Sequence, residues 1–412
     1  MTRSLWVLLH RWAGLSMAAF LIVVGLSGAV LAFYGDLDGY FAAELHRLPA
    51  ARPGAEPLDP FSLRAMVAAS RPEAAIDFVS LDPPDPRSAL RFRVEGKIDP
   101  ATGEPAVLPY TEFYVNPMTG DVTGDRRFGD LSQGMKNLMP FILDLHTSLV
   151  AGVVGQYALG IIALLWTVDC FVGAYLTLPR ARPFFGKWAI AWQVKPRRLN
   201  YDLHRAGGLW LWIALFVFAW SSVYFNLNSL YTPVTQFLFG MRDDVYSTAL
   251  PQAAEKIQLE PGIDWREAHR LLEPMALTES ARHGVEIQRE NWLSYDPRTV
   301  AYLYSVMVND ARAATGEDRE LIVSMDANTG RLHGASLQQV EKPGDVITRW
   351  LGMLHVAGIW GLPYRIFVFI TGLMIVVLSV TGVVIWWRKR RASSSSSSRR
   401  QGGKSCPQFN CR

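Results

Sequence analysis

The chain has 412 residues, half of them hydrophobic, with 41 Lys and Arg against 37 Asp and Glu and a formal net charge of +4. So apolar a composition excludes a disordered chain. The small positive excess sits in two short segments rather than on one broad face, which excludes nucleic acid as the expected partner, and three cysteines are too few for a disulfide framework.

Segment 1–34 carries one long uncharged run, Trp12 to Phe33. About 20 apolar residues at 1.5 Å each cross a hydrocarbon core of roughly 30 Å, so this is an expected transmembrane helix. It exceeds the ~7–15-residue core of a signal peptide and no A-x-A site follows, so an uncleaved anchor is expected. Segment 35–140 has a net charge of −5. A helix is expected over Leu58–Ala69, then a hairpin in "FYVNPMTGDVTG", where Asn116, Pro117 and Gly120 suit turn dihedrals. Segment 141–178 is a second span: Leu145 to Val168 is uncharged, then comes Asp169 and further apolar residues to Leu178.

Segment 179–203 is basic, with Arg180, Arg182, Lys187, Lys195, Arg197 and Arg198 before its first acid, Asp202. Segment 204–228 is the third span, uncharged from Ala206 to Phe225. Segment 229–350 has a net charge of −6, with a helix expected over Ile263–Leu272 and a hairpin in "IVSMDANTGRLHG". Segment 351–388 is the fourth span, uncharged from Ile366 to Trp387. The tail 389–412 follows a basic stop starting at Arg388. Its serine run, Ser393–Ser398, reads as a disordered linker. Cys406 and Cys411 lack the further ligands that zinc requires.

The cation-rich loop and tail set both termini on the cytoplasmic side by the positive-inside rule, in the inner membrane of a bacterium. The two acidic segments then become periplasmic α+β domains. "LHRWAGL" (Leu9–Leu15) returns as "LHRAGGL" (Leu203–Leu209), and the interval from His146 to Gly173 equals that from His355 to Gly382. The expected fold is therefore a multi-pass α-helical membrane protein, four transmembrane helices in two parallel repeats.

Four of the eight histidines stand where spans begin. The topology pairs His10 with His204 near the cytoplasmic face, and His146 with His355 near the external face. His10 has Ala13 and Gly14 at i+3 and i+4; His204 has Gly207 and Gly208 there; Gly352 and Gly358 flank His355. Small neighbours on the histidine's face leave a flat slot. Two neutral imidazoles suit the axial positions of haem iron, so two b-type haems are expected. Arg11 and Arg205 are placed to hold propionates. Asp169 could carry protons, touch a quinol or a propionate, or bond a neighbouring Ser, Thr or Trp. Against this, a lone histidine at an interface is an ordinary polar group, small residues serve helix packing, and arginines anchor topology. Pairing by side is what favours ligation.

The four spans, "LHRWAGL" and "YVNPMTGDVTG" resemble the PepSY-associated transmembrane family over residues 1–390, and within it the iron-regulated FoxB-type ferrisiderophore reductases. The resemblance implies PepSY-like external domains and haem ligation by His10, His146, His204 and His355. It implies a ferric reductase of iron uptake that moves electrons outward to a ferric siderophore in the periplasm. No dinucleotide fingerprint is present, so the donor is a quinol or a separate cytoplasmic flavoprotein. The competing reading is a membrane-anchored PepSY sensor or peptidase regulator without redox activity. A transporter ranks lower, since no broken spans are expected. One tension stands: an unbroken helix from His146 to Leu178 would be roughly 48 Å long, which carries His146 well beyond the hydrocarbon and leaves a long gap to a haem at His10 and His204, to be closed by tilt, a kink near Pro363 or a third carrier.

Overall fold

The computed structural model describes residues 2–48, 56–81, 87–99, 101–177, 188–241, 253–309, 319–337 and 342–402, with side chains as far as 391. Arg180, Arg182, Lys187, Cys406 and Cys411 lie outside the described residues. The helices, in chain order, are α1 (Arg3–Leu31), α2 (Tyr34–Phe41), α3 (Ala43–His46), α4 (Pro60–Ser70), α5 (Leu138–Ser148), α6 (Gly152–Thr177), α7 (Pro196–Trp210), α8 (Trp212–Asn226), α9 (Asn228–Phe239), α10 (Trp265–His283), α11 (Pro343–His355) and α12 (Gly361–Gly402). The strands are β1 (Phe78–Ser80), β2 (Leu90–Arg93), β3 (Glu112–Val115), β4 (Val122–Arg126), β5 (Glu286–Asp296), β6 (Ala301–Asn309), β7 (Arg319–Asp326) and β8 (Leu332–Leu337). The chain divides into a helical unit (1–34, 142–238 and 347–412) and an α+β unit (35–141 and 239–346).

In the helical unit α1, α6 and α12 are long and apolar enough to cross a membrane, and α7 with α8 makes a fourth candidate span bent by 69°. Small residues let backbones approach closely where α1 meets α12: a Cβ on Gly25 would lie 2.9 Å from the Gly372 carbonyl oxygen, and one on Gly372 would lie 2.6 Å from that of Gly25. Met17, Leu21, Cys170, Leu215, Ala219 and Ile375 close the centre of the bundle.

Three sequence expectations change here. The third span is not one straight helix, and the expectation of unbroken spans fails with it. α7 buries Asp202, Ala206, Gly207 and Leu209 and leaves Arg197 and Arg198 exposed. So amphipathic a helix cannot run lengthwise through hydrocarbon, and the chain turns at Leu211 (φ −101°, ψ 8°) before α8 begins.

Nor is the second span one unbroken rod. The helix stops at Ser148, the chain turns through Leu149 and Val150 (both φ 56°), and α6 starts afresh at Gly152. α11 and α12 are parted likewise, with Ala357 and Trp360 at φ 54°. The break lies just before Pro363, which sits in the first turn of α12, where a missing N–H is harmless.

The tail expected to be disordered from residue 389 instead continues α12 to Gly402. Serine has middling helix propensity, and no Gly or Pro interrupts the backbone before that point.

In the α+β unit the two inter-span segments do not stay apart. β1, from the first, pairs antiparallel with β5, from the second, with Val79 opposite Leu293. This gives a five-stranded antiparallel sheet, β1-β5-β6-β7-β8, beside a three-stranded one, β2-β3-β4. α10 lays Ala268, Leu272 and Ala276 on Tyr302, Tyr304, Val306 and Val323; α4 lays Leu63 and Val67 on Val94, Phe113 and Val115. Asp59 and Asp264 cap these helices by accepting from Ser62 N–H and Arg266 N–H. Both expected hairpins form, β3–β4 and β7–β8, with Gly120 and Gly330 at φ 79° and 69°. The first holds a fully buried Arg126, whose guanidinium donates to Glu112 at 2.8 Å and to both oxygens of Asp38 at 2.8 and 3.1 Å.

Candidate functional site

Two pairs of histidines face each other inside the helical unit. His10 on α1 and His204 on α7 have ring centroids 6.2 Å apart; His146 on α5 and His355 on α11 have centroids at the same 6.2 Å. The two pairs meet α1 at different heights. The His146 ring lies against Ser27 and Gly28, towards the opposite end of α1 from His10. From His10 to Ser27 is about 26 Å along the helix axis. The turn after Ser148 makes this possible, because it frees α5 from the direction of α6. His146 is thereby drawn against α1 and is not left beyond the bundle.

Each imidazole uses Nδ1 for a protein contact. His10 Nδ1 bonds both oxygens of Asp169, at 2.8 and 3.0 Å. His204 Nδ1 lies 3.0 Å from the Leu378 carbonyl oxygen and 3.1 Å from the Thr381 hydroxyl. His146 Nδ1 meets the Ser27 hydroxyl at 3.0 Å, and His355 Nδ1 meets the Ser221 hydroxyl at 2.7 Å. Among the described residues no hydrogen bond engages any of the four Nε2 atoms. Metal-bound histidines are held this way, with one nitrogen fixed by a partner that sets the tautomer and the other left to ligate.

The spacing suits a shared ion. Two collinear metal–nitrogen bonds of about 2.0–2.1 Å, plus the radii of the two rings, put the centroids about 6 Å apart. Among the described residues no group of three or more His, Cys, Asp or Glu converges. Each pair thus brings two imidazoles together without a third such side chain among the described residues.

Room exists for it at the second pair. His146 and His355 open on a cavity of about 740 Å³ that reaches down past Val24, Ile162, Trp166, Phe218 and Ile375. Phe218 and Phe225 stand edge-on to the His355 ring, at 5.4 and 5.2 Å. Such a volume, walled mainly by apolar groups with a few convergent polar ones, falls within the range of small-molecule pockets.

The glycines show how close the rings pack. A Cβ on Gly28 would stand 2.9 Å from His146 Cε1, one on Gly382 3.1 Å from His204 Cε1, and one on Gly173 3.5 Å from His10 Cε1. Of the small residues expected to form slots, Gly207 packs on Met374 and Leu378 of α12, so it serves helix contact. Gly14 faces open space.

Among the described residues, Arg11 and Arg205 each have a buried Nε without a hydrogen-bond partner. Arg205 is otherwise engaged, by Asp202 at 3.1 Å and the Ala189 carbonyl at 3.0 Å; Arg11 lies over Trp12, 5.6 Å from its ring centre. Asp169 bonds His10 through both carboxylate oxygens, and among the described residues no Ser, Thr or Trp holds it. The two serines escaped sequence reasoning, yet a signal for them exists. Ser27 follows His10 at the same interval by which Ser221 follows His204.

Fold and site together define a multi-pass helical membrane protein with an α+β portion and two bis-histidine centres between its helices. The model of the PepSY-associated TM region matches residues 7–389, and the chain belongs to that family. No curated protein matches it.

Proposed function

We propose that the protein is an inner-membrane electron carrier with two b-type haems that reduces ferric iron, held by a siderophore, in the periplasm. The observation that carries this is the pair of histidine pairs: equal 6.2 Å ring separations, every Nδ1 occupied and, among the described residues, no Nε2 engaged. His10 with His204 would hold one group and His146 with His355 the other. A bound haem supplies a one-electron Fe(III)/Fe(II) couple, with a potential set by its axial ligands and their hydrogen bonds.

The chain's own residues do the rest. Asp169, the Leu378 carbonyl, Ser27 and Ser221 fix ring orientation and tautomer. Phe218, Phe225 and the apolar wall exclude water from the second centre. The unpartnered Arg11 Nε is suited to a propionate.

We read the halves as a duplication with both termini cytoplasmic and the α+β unit periplasmic. The matching His-to-Ser and His-to-Gly intervals and the basic 179–203 and 388–391 segments support this. His10 and His204 then stand on the donor side, where a quinol or a separate flavoprotein delivers electrons, and His146 and His355 stand nearer the acceptor. Iron leaves a hard-oxygen chelate more readily once reduced, because softer Fe(II) suits such ligands less well.

The test is spectroscopic. Protein purified in detergent should give a reduced-minus-oxidised b-type spectrum and a pyridine haemochrome of two haems per chain. His10→Ala and His204→Ala should abolish the same half of the signal, and His146→Ala and His355→Ala the other half. A preparation without haem, from cells supplied with it, refutes the reading; so does His10→Ala removing the same component as His146→Ala. Reduced protein mixed with ferric siderophores then tests the acceptor.

A further inference from the structure

We propose that the start of α7 and the end of the apolar stretch of α12 form a binding site for the phosphate of an anionic phospholipid. Lys195, Arg197 and Arg198 come from α7 and the residue before it, Arg388 and Lys389 from α12, and together they line one cavity of about 510 Å³ with Asn200, Tyr201 and Ile385. The two helices are tied at this point by Asn200, whose amide donates to the Thr381 carbonyl at 3.1 Å.

Five cations share the cavity, and among the described residues the carboxylate that answers them is Asp202. It lies 3.8 Å from Arg198 and closer, at 3.1 Å, to Arg205, which lines no part of the cavity. Like charges gathered from two helices repel unless an anion lies between them. The first turn of α7, which opens on Lys195 and Pro196, adds the positive end of its dipole.

Depth identifies the source of the phosphate. Arg388 is the first charge after the uncharged run from Ile366 to Trp387, so the cavity sits where hydrocarbon gives way to headgroups. Tyr201, which lines the cavity, and Trp387, beside Arg388, are about half exposed, as interfacial aromatics are. Basic pockets between spans at this depth suit anionic headgroups.

The experiment uses full-length protein in neutral detergent, titrated with phosphatidylglycerol or phosphatidylcholine and read by native mass spectrometry. Phosphatidylglycerol should remain bound and phosphatidylcholine should not. Arg197→Gln/Arg388→Gln should weaken retention by about tenfold or more, at about 1 kcal/mol per cation. Arg390→Gln/Arg391→Gln, which removes equal charge outside the cavity, should change it by about twofold or less. If the pocket double variant does not fold, Lys389→Gln replaces it, with a proportionally smaller loss expected. Equal losses in pocket and control variants, or equal binding of the two lipids, would overturn the site. Displacement of the lipid by millimolar inorganic phosphate would overturn the lipid assignment in favour of a free phosphate.

Discussion

His10 donates its Nδ1 hydrogen to the Asp169 carboxylate, at 2.8 and 3.0 Å, while its partner His204 turns the same atom to the Leu378 carbonyl. Asp169 and Leu378 hold equivalent places, at one and the same interval after His146 and His355. One half of the molecule therefore brings a formal anion to a ring nitrogen where the other brings a neutral carbonyl. The second histidine pair has serine hydroxyls there, and no carboxylate among the described residues.

The asymmetry has an electrochemical consequence under the haem reading. A carboxylate behind an imidazole raises its basicity and favours the more positive state of the metal. The centre at His10 should thus have the lower potential, so that electrons run toward His146 and His355 without further input. Asp169→Asn keeps the shape and removes the charge. A redox titration followed at the haem bands should show one midpoint moving up and the other fixed; loss of such an outer-shell partner typically costs about 10–100-fold in metal affinity or activity. Two unchanged midpoints in a protein that still holds both haems would discard this role for Asp169 and leave the haem reading intact.

Ring packing gives a graded series. Gly28→Ala puts a methyl 2.9 Å from His146 Cε1, inside contact distance, and the ring must shift. Gly382→Ala, at 3.1 Å from His204, needs a smaller adjustment, and Gly173→Ala, at 3.5 Å from His10, needs none. Haem content per chain should fall in that order, with Gly173→Ala near wild type. Equal retention by Gly28→Ala and Gly173→Ala would show that ring position there does not govern the site.

How much of this was legible in the sequence depends on the range of the interaction. The spans follow from uncharged length, and the hairpins from Asn, Asp and Gly at turn positions. The four histidines were found because each stands at the start of a span and has a counterpart two spans away. The breaks were not legible. Nothing in "HTSLVAGVVG" requires Leu149 and Val150 to take positive φ; the turn exists because His146 packs against Ser27 and Gly28 on another helix. The β1–β5 pairing was hidden for the same reason: a strand as short as Phe78–Ser80 gives no alternation long enough to name a partner in the other inter-span segment.

Arg126 offers a stability test in the α+β unit. Its side chain is fully enclosed and balances Asp38 and Glu112, both almost fully buried. Arg126→Met fills much of the volume but leaves Asp38 with His46 alone and Glu112 with Tyr114 and the more distant Arg91 and Arg93; breaking a buried pair from one side costs about 3–5 kcal/mol. Thermal unfolding of full-length protein in detergent, followed by tryptophan fluorescence, should show the transition of this unit fall by several degrees. A near-wild-type transition would mean that His46, Arg91 and Arg93 already balance the two carboxylates.

Asp77 should make stability depend on pH in the opposite sense to an ordinary paired carboxylate. Burial pushes its carboxyl up to about 6; Arg64 opposes this, Glu260 and Asp296 add to it, and Lys97 opposes it weakly. The folded-state value lies above the ordinary 3.8. The native protein therefore holds this proton more tightly than the unfolded chain does. The resulting stabilisation is complete below pH 4 and disappears as the pH rises through 6. Above that, a charged Asp77 in a mostly buried place is a net cost, relieved only in part by Arg64. Asp77→Asn retains the shape without the charge, so it should match wild type at pH 4. At pH 7.5 it should be more stable, by about 2 kcal/mol at most once solvent screening is allowed for. Denaturant midpoints of the two proteins measured from pH 4 to 8 should diverge between pH 5 and 7. A constant difference across that range, or a variant less stable at pH 7.5, would show that Arg64 already compensates the charge in full.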